Sequence, residues 1–269
     1  MRVFLTCYDV RKIFLASRVG KKEVFIRNYR TGGKIKVRIG KEEIAVNGIK
    51  VSLKDILWLL NSKSVAMVEN GKVYELTIHT KDGKFYRIVC NGDLDLFNLE
   101  ISGFLLYSKN VPIRDLVDRV VDECKWCKSV LVFGSKLGYY SIEISKYSDV
   151  LTVEEDKNMI EVMKYNPCSE YFFRETLPYR ICSIYELGDL KRYDCILYCP
   201  PPYSNTNRYY HSTPVLRRFK KMCKEKLIID VERPMKGSHK QNITNLRSKL
   251  ENLGFSVNID WEYGLLISE

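Results

Sequence analysis

At 269 residues, with 45% hydrophobic and 29% charged side chains, the chain is long enough for one large domain or two modest ones and has the make-up of an ordinary soluble protein. No run approaches the roughly 18 apolar residues of a membrane span, and the opening Met1–Lys12 is too short and too interrupted for a signal peptide, so a cytoplasmic protein is expected. The net charge of +11 is unevenly placed: residues 1–109 carry 20 Lys and Arg against 11 Asp and Glu (+9), residues 110–269 carry 24 against 22 (+2). A basic first part suggests an anionic partner held there, and nucleic acid is the one expected.

Residues 1–50 alternate apolar and charged side chains, as in Lys34-Ile35-Lys36-Val37-Arg38-Ile39, with Gly32-Gly33, Gly40-Lys41 and Asn47-Gly48 between the runs. That pattern predicts short antiparallel strands joined by tight turns. Ser52 reads as an N-cap, and Leu53, Ile56, Leu57 and Leu60 mark one face of a helix near 53–61. Strand-like runs follow at 64–69, 72–79 and 85–90, separated by Asn70-Gly71 and Asp82-Gly83. Residues 1–109 therefore read as a small, basic, β-rich domain with one helix. Its early strands bear Arg27, Arg30, Lys34, Lys36 and Arg38 beside Phe25 and Tyr29, a set that makes either a nucleic-acid surface or a solvated sheet face.

Pro112 suits the first turn of a helix over 112–123. From there the pattern alternates: strands at 130–133, 150–153, 180–184, 194–198, 226–230, 255–260 and 264–268, and helices at 139–147, 157–165, 213–223 and 240–253. Residues 110–269 thus read as a mostly parallel, doubly wound α/β sheet closed by a reversed C-terminal strand in an edge hairpin. Ser129–Asp156 is one β-α-β unit: an apolar strand, the turn Gly134–Gly138, a helix, and a second strand ending on Glu154, Glu155 and Asp156. Such a unit places a loop and a helix start beside a nucleotide, with an acid about 20 residues on for the ribose. Ligands in these sheets sit at the carboxyl ends of the strands, which here also carry Cys182-Ser183 and Tyr198-Cys199-Pro200-Pro201-Pro202-Tyr203-Ser204. A proline run just past a strand leaves carbonyl oxygens without ladder partners; its alternative role is a plain stop after the strand.

On Val130–Tyr139, Leu151–Asp156, Asn166-Pro167, Pro200–Ser204 and Glu100–Gly103 the chain resembles a family of predicted archaeal methyltransferases, in which a small N-terminal β domain precedes a Rossmann-like class I methyltransferase domain binding S-adenosylmethionine. The resemblance implies that Gly134, Ser135, Gly138, Glu154 and Ser183 surround the cofactor, with Glu154 on the ribose hydroxyls. It implies that Cys199, Pro200, Pro201 and Tyr203 face a target amine on a base, with Ser204, Asn205, Arg208 and His211 on the substrate side.

The departures are specific. Val132 stands where the first strand ordinarily carries an acid, and Lys136 stands at a glycine position, bringing a cation toward the place of a sulfonium. Cys182-Ser183 replaces a Gly-Asp pair, and Cys199 or Pro200 replaces the acid or amide before the prolines; neither is a good acceptor for an NH2 group.

Nine cysteines, odd in number and irregular in spacing, argue against a disulfide framework; Cys124 and Cys127 form a lone CxxC that reads as buried thiols beside a helix end. His79, His211 and His239 show no metal-ligand spacing, and no metal is expected. The basic run Arg217–Lys226 reads as a solvated helix face. The sequence thus supports a S-adenosylmethionine-dependent methyltransferase acting on an amino group of a base in RNA. The alternative is a methyltransferase-fold protein that has lost activity and serves as an RNA- or partner-binding module.

Overall fold

The computed structural model describes residues 2–81, 83–92, 95–188, 191–201, 207–231 and 237–269. Contacts divide the chain into two compact units, Met1–Leu106 with Lys164–Glu170, and Tyr107–Met163 with Tyr171–Glu269.

The first unit contains three small antiparallel sheets among its described residues. They are built from β1 (Arg2–Leu5), β2 (Glu23–Arg27), β3 (Lys34–Ile39), β4 (Glu43–Val46), β5 (Ile49–Ser52), β6 (Ala66–Glu69), β7 (Lys72–Glu75), β8 (Thr77–His79), β9 (Phe85–Val89), β10 (Asn98–Ile101) and β11 (Phe104–Leu105). Their orders are β1-β6-β7, β2-β3-β4-β5 and β11-β10-β9-β8. Two hairpins turn on dipeptides with positive φ at both residues, Asn47-Gly48 (48° and 80°) and Asn70-Gly71 (52° and 78°), as tight hairpins with right-handed twist require. Alternation puts Ile35, Val37 and Ile39 of β3 in a core with Ile26, Ile44, Val46 and Val51, and leaves Lys34, Lys36 and Arg38 exposed.

The helix content differs from the sequence reading. A 12-residue helix, α1, spans Cys7–Arg18. Its start is a capping box: the Thr6 N–H donates to Asp9 at 2.9 Å, and the Asp9 N–H reaches the Thr6 hydroxyl at 3.5 Å. Val10, Ile13 and Ala16 then line its buried face. The expected helix at 53–61 is one α turn, α2 (Leu53–Ile56), capped by Ser52 and continued as a 3-10 segment over Leu57–Asn61.

The second unit is a seven-stranded sheet of β12 (Ser129–Phe133), β13 (Asp149–Glu154), β14 (Tyr179–Ile181), β15 (Tyr193–Tyr198), β16 (Cys223–Asp230), β17 (Val257–Asp260) and β18 (Leu265–Ser268), in the order β14-β13-β12-β15-β16-β18-β17. β12 through β16 pair in parallel, while β18 pairs antiparallel with both β16 and β17. The reversed C-terminal strand is present, and within its hairpin it is the inner strand. Leu131, Phe133, Val153, Tyr198, Leu227 and Ile229 pack against Val215, Leu216 and Phe219 of α7 (Thr213–Met222) and Ile243, Leu246 and Leu250 of α8 (Gly237–Glu251). On a parallel sheet buried on both faces strands read as near-continuous apolar runs, and Val130–Phe133 of β12 and Cys195–Leu197 of β15 do. Chain order runs outward from β12 through β13 to β14, then returns to β15 on the other side. The switch point therefore lies between β12 and β15.

The crossover helices in between are α4 (Tyr139–Ile144), α5 (Lys157–Tyr165) and the short α6 (Glu170–Arg174), with α3 (Ile113–Cys124) leading into β12. Among the described residues, none of the helices is long and apolar enough to cross a membrane.

Candidate functional site

The turn after β12 is shaped by contacts on both of its flanks. Gly134 has φ +91°, and a Cβ there would stand 2.4 Å from the Cys199 carbonyl oxygen, so the turn after β12 and the end of β15 meet with no room for a side chain. Gly138, at φ +77°, caps α4, and a Cβ on it would strike Met163 at 2.5 Å. Gly134 is required by a backbone contact within the protein itself, whereas at Gly138 the atom met is the flexible end of Met163 and the left-handed φ is what favours glycine.

Between them the chain sends adjacent residues in opposite directions. Ser135 turns to the β13 side, where its N–H and its hydroxyl each donate to Glu154 Oε2 at 2.8 Å. The Asp156 N–H donates to the other oxygen, Oε1, at 2.8 Å. A carboxylate has about four acceptor sites, so three chain donors leave capacity for one more. Burial lifts the Glu154 carboxyl above the usual range, and the donors of Asp156 and Ser135 pull it back. Glu155, its neighbour, accepts from the Ile184 N–H at 3.1 Å and so ties the turn after β14 to the end of β13.

Lys136 turns the other way, across β15 to the tip of β16. Its Nζ lies 2.6 Å from Asp230 Oδ2, and the Tyr140 hydroxyl donates to that same oxygen at 2.6 Å. The ammonium sits 4.7 Å from the centre of the Tyr107 ring. The lysine and aspartate side chains are 5% and 0% exposed. Lys136 adopts φ +46°, a left-handed conformation costing a non-glycine residue about 1–2 kcal/mol. The phenols of Tyr107 and Tyr140 are pushed up by burial and stay neutral.

At the end of β15 the segment is more enclosed than the sequence suggests. Cys199 is buried, with its carbonyl against Gly134 and its thiol held neutral by burial. The Pro201 carbonyl lies 3.1 Å from His211 Nε2, and since a carbonyl only accepts, Nε2 is the donor. Burial holds the His211 imidazole below its ordinary value, with nearby Lys249 acting in the same direction. Of the carbonyls expected to face a target amine, that of Cys199 is packed against the turn after β12 and that of Pro201 accepts from His211. Pro200 is buried and Arg208 exposed; Tyr203, Ser204 and Asn205 lie outside the described residues.

Of the expected cofactor set, Gly134, Ser135, Gly138 and Glu154 come together around one turn. Ser183 lies in the turn after β14, its N–H donating to Glu186 at 2.7 Å. Asp230 was not anticipated. Its signal is the run Leu227-Ile228-Ile229-Asp230, an apolar strand closed by an acid at its carboxyl end. The CxxC pair is buried as read: Cys124 Sγ lies 3.6 Å from Cys195 Sγ on β15.

No family model matches the chain. Over 155 residues it is 25% identical to an uncharacterized protein of Methanocaldococcus jannaschii, covering 54% of this chain and 51% of that one, so it spans about half the length of the curated relative it matches. Among solved structures it is similar to spermidine synthase of Thermotoga maritima, at 14% identity and a TM-score of 0.51, with 71% of this chain and 70% of that one covered. It is also similar to a spermidine synthase in complex with the transition state analogue AdoDATO, at 15% and 0.52, with 71% of each chain covered. Magnesium protoporphyrin IX methyltransferase of Synechocystis, with bound SAM, matches at 17% and 0.45, over 60% of this chain and 81% of that one. With its strand order and inner reversed strand, the second unit has the Rossmann-like class I methyltransferase fold.

Gly134 offers a direct check on the turn. Gly134→Ala meets both a left-handed backbone and a backbone oxygen, whereas Gly103→Ala, at φ +92° with open space around it, meets the backbone cost alone. Chemical denaturation is expected to show a loss of about 1–2 kcal/mol at Gly103 and at least about twice that at Gly134. Equal losses would mean that the Cys199 contact does not constrain the turn.

Proposed function

We propose that the protein is a S-adenosylmethionine-dependent methyltransferase that modifies an amino group of a base in RNA. The observation that carries this reading is the buried Glu154, fixed by Ser135 at the carboxyl ends of β12 and β13, beside the switch point and with acceptor capacity to spare. The residues fit an adenosyl group. Glu154 would accept from a ribose hydroxyl, the Gly134 turn brings backbone close, and the one cation of the loop is already neutralised by Asp230. S-adenosylmethionine, when bound, supplies an electrophilic methyl on sulfur. The protein's own part in such a transfer is alignment and exclusion of water. His211, donating to the Pro201 carbonyl, ties the segment after β15 to the turn before α7.

The RNA partner is supported by the first unit. Lys34, Lys36, Arg38 and Lys50 stand exposed on β3 and β5, and Phe25, 47% exposed, lies directly opposite Lys36 on β2. Glu23 and Glu43 pair with Lys36 and Lys50, which lowers the surplus without removing it. An exposed ring among cations offers a base a stacking face and its phosphate a counter-charge. The reading of an inactive module draws on the enclosed Cys199 and Pro201 carbonyls.

Calorimetric titration with S-adenosylmethionine and with S-adenosylhomocysteine tests the cofactor. Binding is expected, weakened in Glu154→Gln by about 1.5–3 kcal/mol, the value of a charge-assisted hydrogen bond. An unchanged affinity would put the pocket elsewhere, and no binding of either ligand at millimolar concentration would leave the inactive module. For RNA, affinity for a single strand should fall steeply between low and moderate salt, with a shallower slope in Lys34→Gln/Lys36→Gln/Arg38→Gln. A slope unaltered by the triple substitution would remove this face from the account.

A further inference from the structure

The ion pair behind the turn has a use that the fold alone does not explain. A buried ion pair is a weak source of stability, because the desolvation of two charges consumes most of their attraction; apolar side chains of similar volume commonly do as well. Here the lysine of the pair also stands in a left-handed backbone conformation. What the arrangement accomplishes is charge placement. Ser135 and Lys136 are neighbours in one turn, yet Ser135 is bound to Glu154 on β13 and Lys136 to Asp230 on β16. β13 and β16 lie on opposite sides of β12, with β15 between β12 and β16. Strands stand about 4.8 Å apart, so the ammonium is drawn well over toward the β16 side. Tyr107 and Tyr140 enclose it there, one by its ring and one by a hydrogen bond to the shared carboxylate oxygen.

We infer that Asp230 is a positioning residue for cofactor binding: it holds the Lys136 ammonium on the β16 side and cancels its charge, so that a turn carrying a lysine at a glycine position can accept a cationic sulfonium. This rests on the cofactor reading above. It goes beyond that reading by assigning a function to two residues that touch each other and lie on the side of the turn away from Glu154.

The test separates charge from structure by comparing two ligands of nearly equal shape. S-adenosylmethionine bears a sulfonium charge that S-adenosylhomocysteine lacks, so an uncompensated ammonium in the site penalises the first and spares the second. In calorimetric titrations, Asp230→Asn should weaken S-adenosylmethionine about tenfold relative to S-adenosylhomocysteine. Lys136→Met/Asp230→Asn, with neither charge, should restore the wild-type ratio. Lys136→Met alone, leaving the acid without its cation, should shift the ratio toward S-adenosylmethionine, and it supplies the answer if Asp230→Asn fails to fold. A purely structural role would weaken both ligands alike. A ratio that stays constant across these variants overturns the inference while leaving the cofactor reading intact. Wild-type protein that binds neither ligand overturns both.

Discussion

A carboxylate buried at the tip of a parallel strand has to find donors, and the second unit of this protein does so twice, at Glu154 on β13 and at Asp230 on β16. Both draw on the turn that follows β12. Glu154 takes the backbone and hydroxyl of Ser135, and Asp230 takes the ammonium of Lys136. The turn is therefore stretched between two acids, with Gly134 pressed against Cys199 from a third direction. Its shape follows from these three constraints, and so does the position of α4, which begins at Gly138.

The electrostatic consequences differ on the two sides. Around Glu154 the donors are neutral, and burial pushes its carboxyl upward. Around Asp230 the partner is a cation, and the pair together is neutral. The carboxyl ends of the central strands thus present one carboxyl group with acceptor capacity to spare, on the β13 side, and one ion pair boxed by aromatic rings, on the β16 side. A ligand with hydroxyls at one end and a positive centre in the middle matches that distribution better than an anionic ligand does.

Much of this was legible in the sequence. The alternation in β3, the Asn-Gly turns, the β-α-β unit and the closing hairpin all follow from local patterns with short-range causes, and the structure has them. So does the meeting of Gly134, Ser135, Gly138 and Glu154, since a strand, a turn and the next parallel strand fix one another's positions. What was not legible depends on residues distant in the chain. Lys136 reads as an obstacle until Asp230, 94 residues later, is seen to neutralise it. The Pro201 carbonyl reads as open until His211 is placed under it. The helix α1 was obscured by the charged alternation around it, although Thr6 and Asp9 at capping-box spacing marked its start.

In the proposed function the turn after β12 and the tip of β13 together hold an adenosyl ligand. Hydrogen exchange with and without S-adenosylhomocysteine addresses it residue by residue. The account predicts slowed exchange confined to amides of 134–139 and 154–156, where ligand contact and stiffening coincide. Slowed exchange elsewhere on the chain, with these amides unchanged, would contradict it.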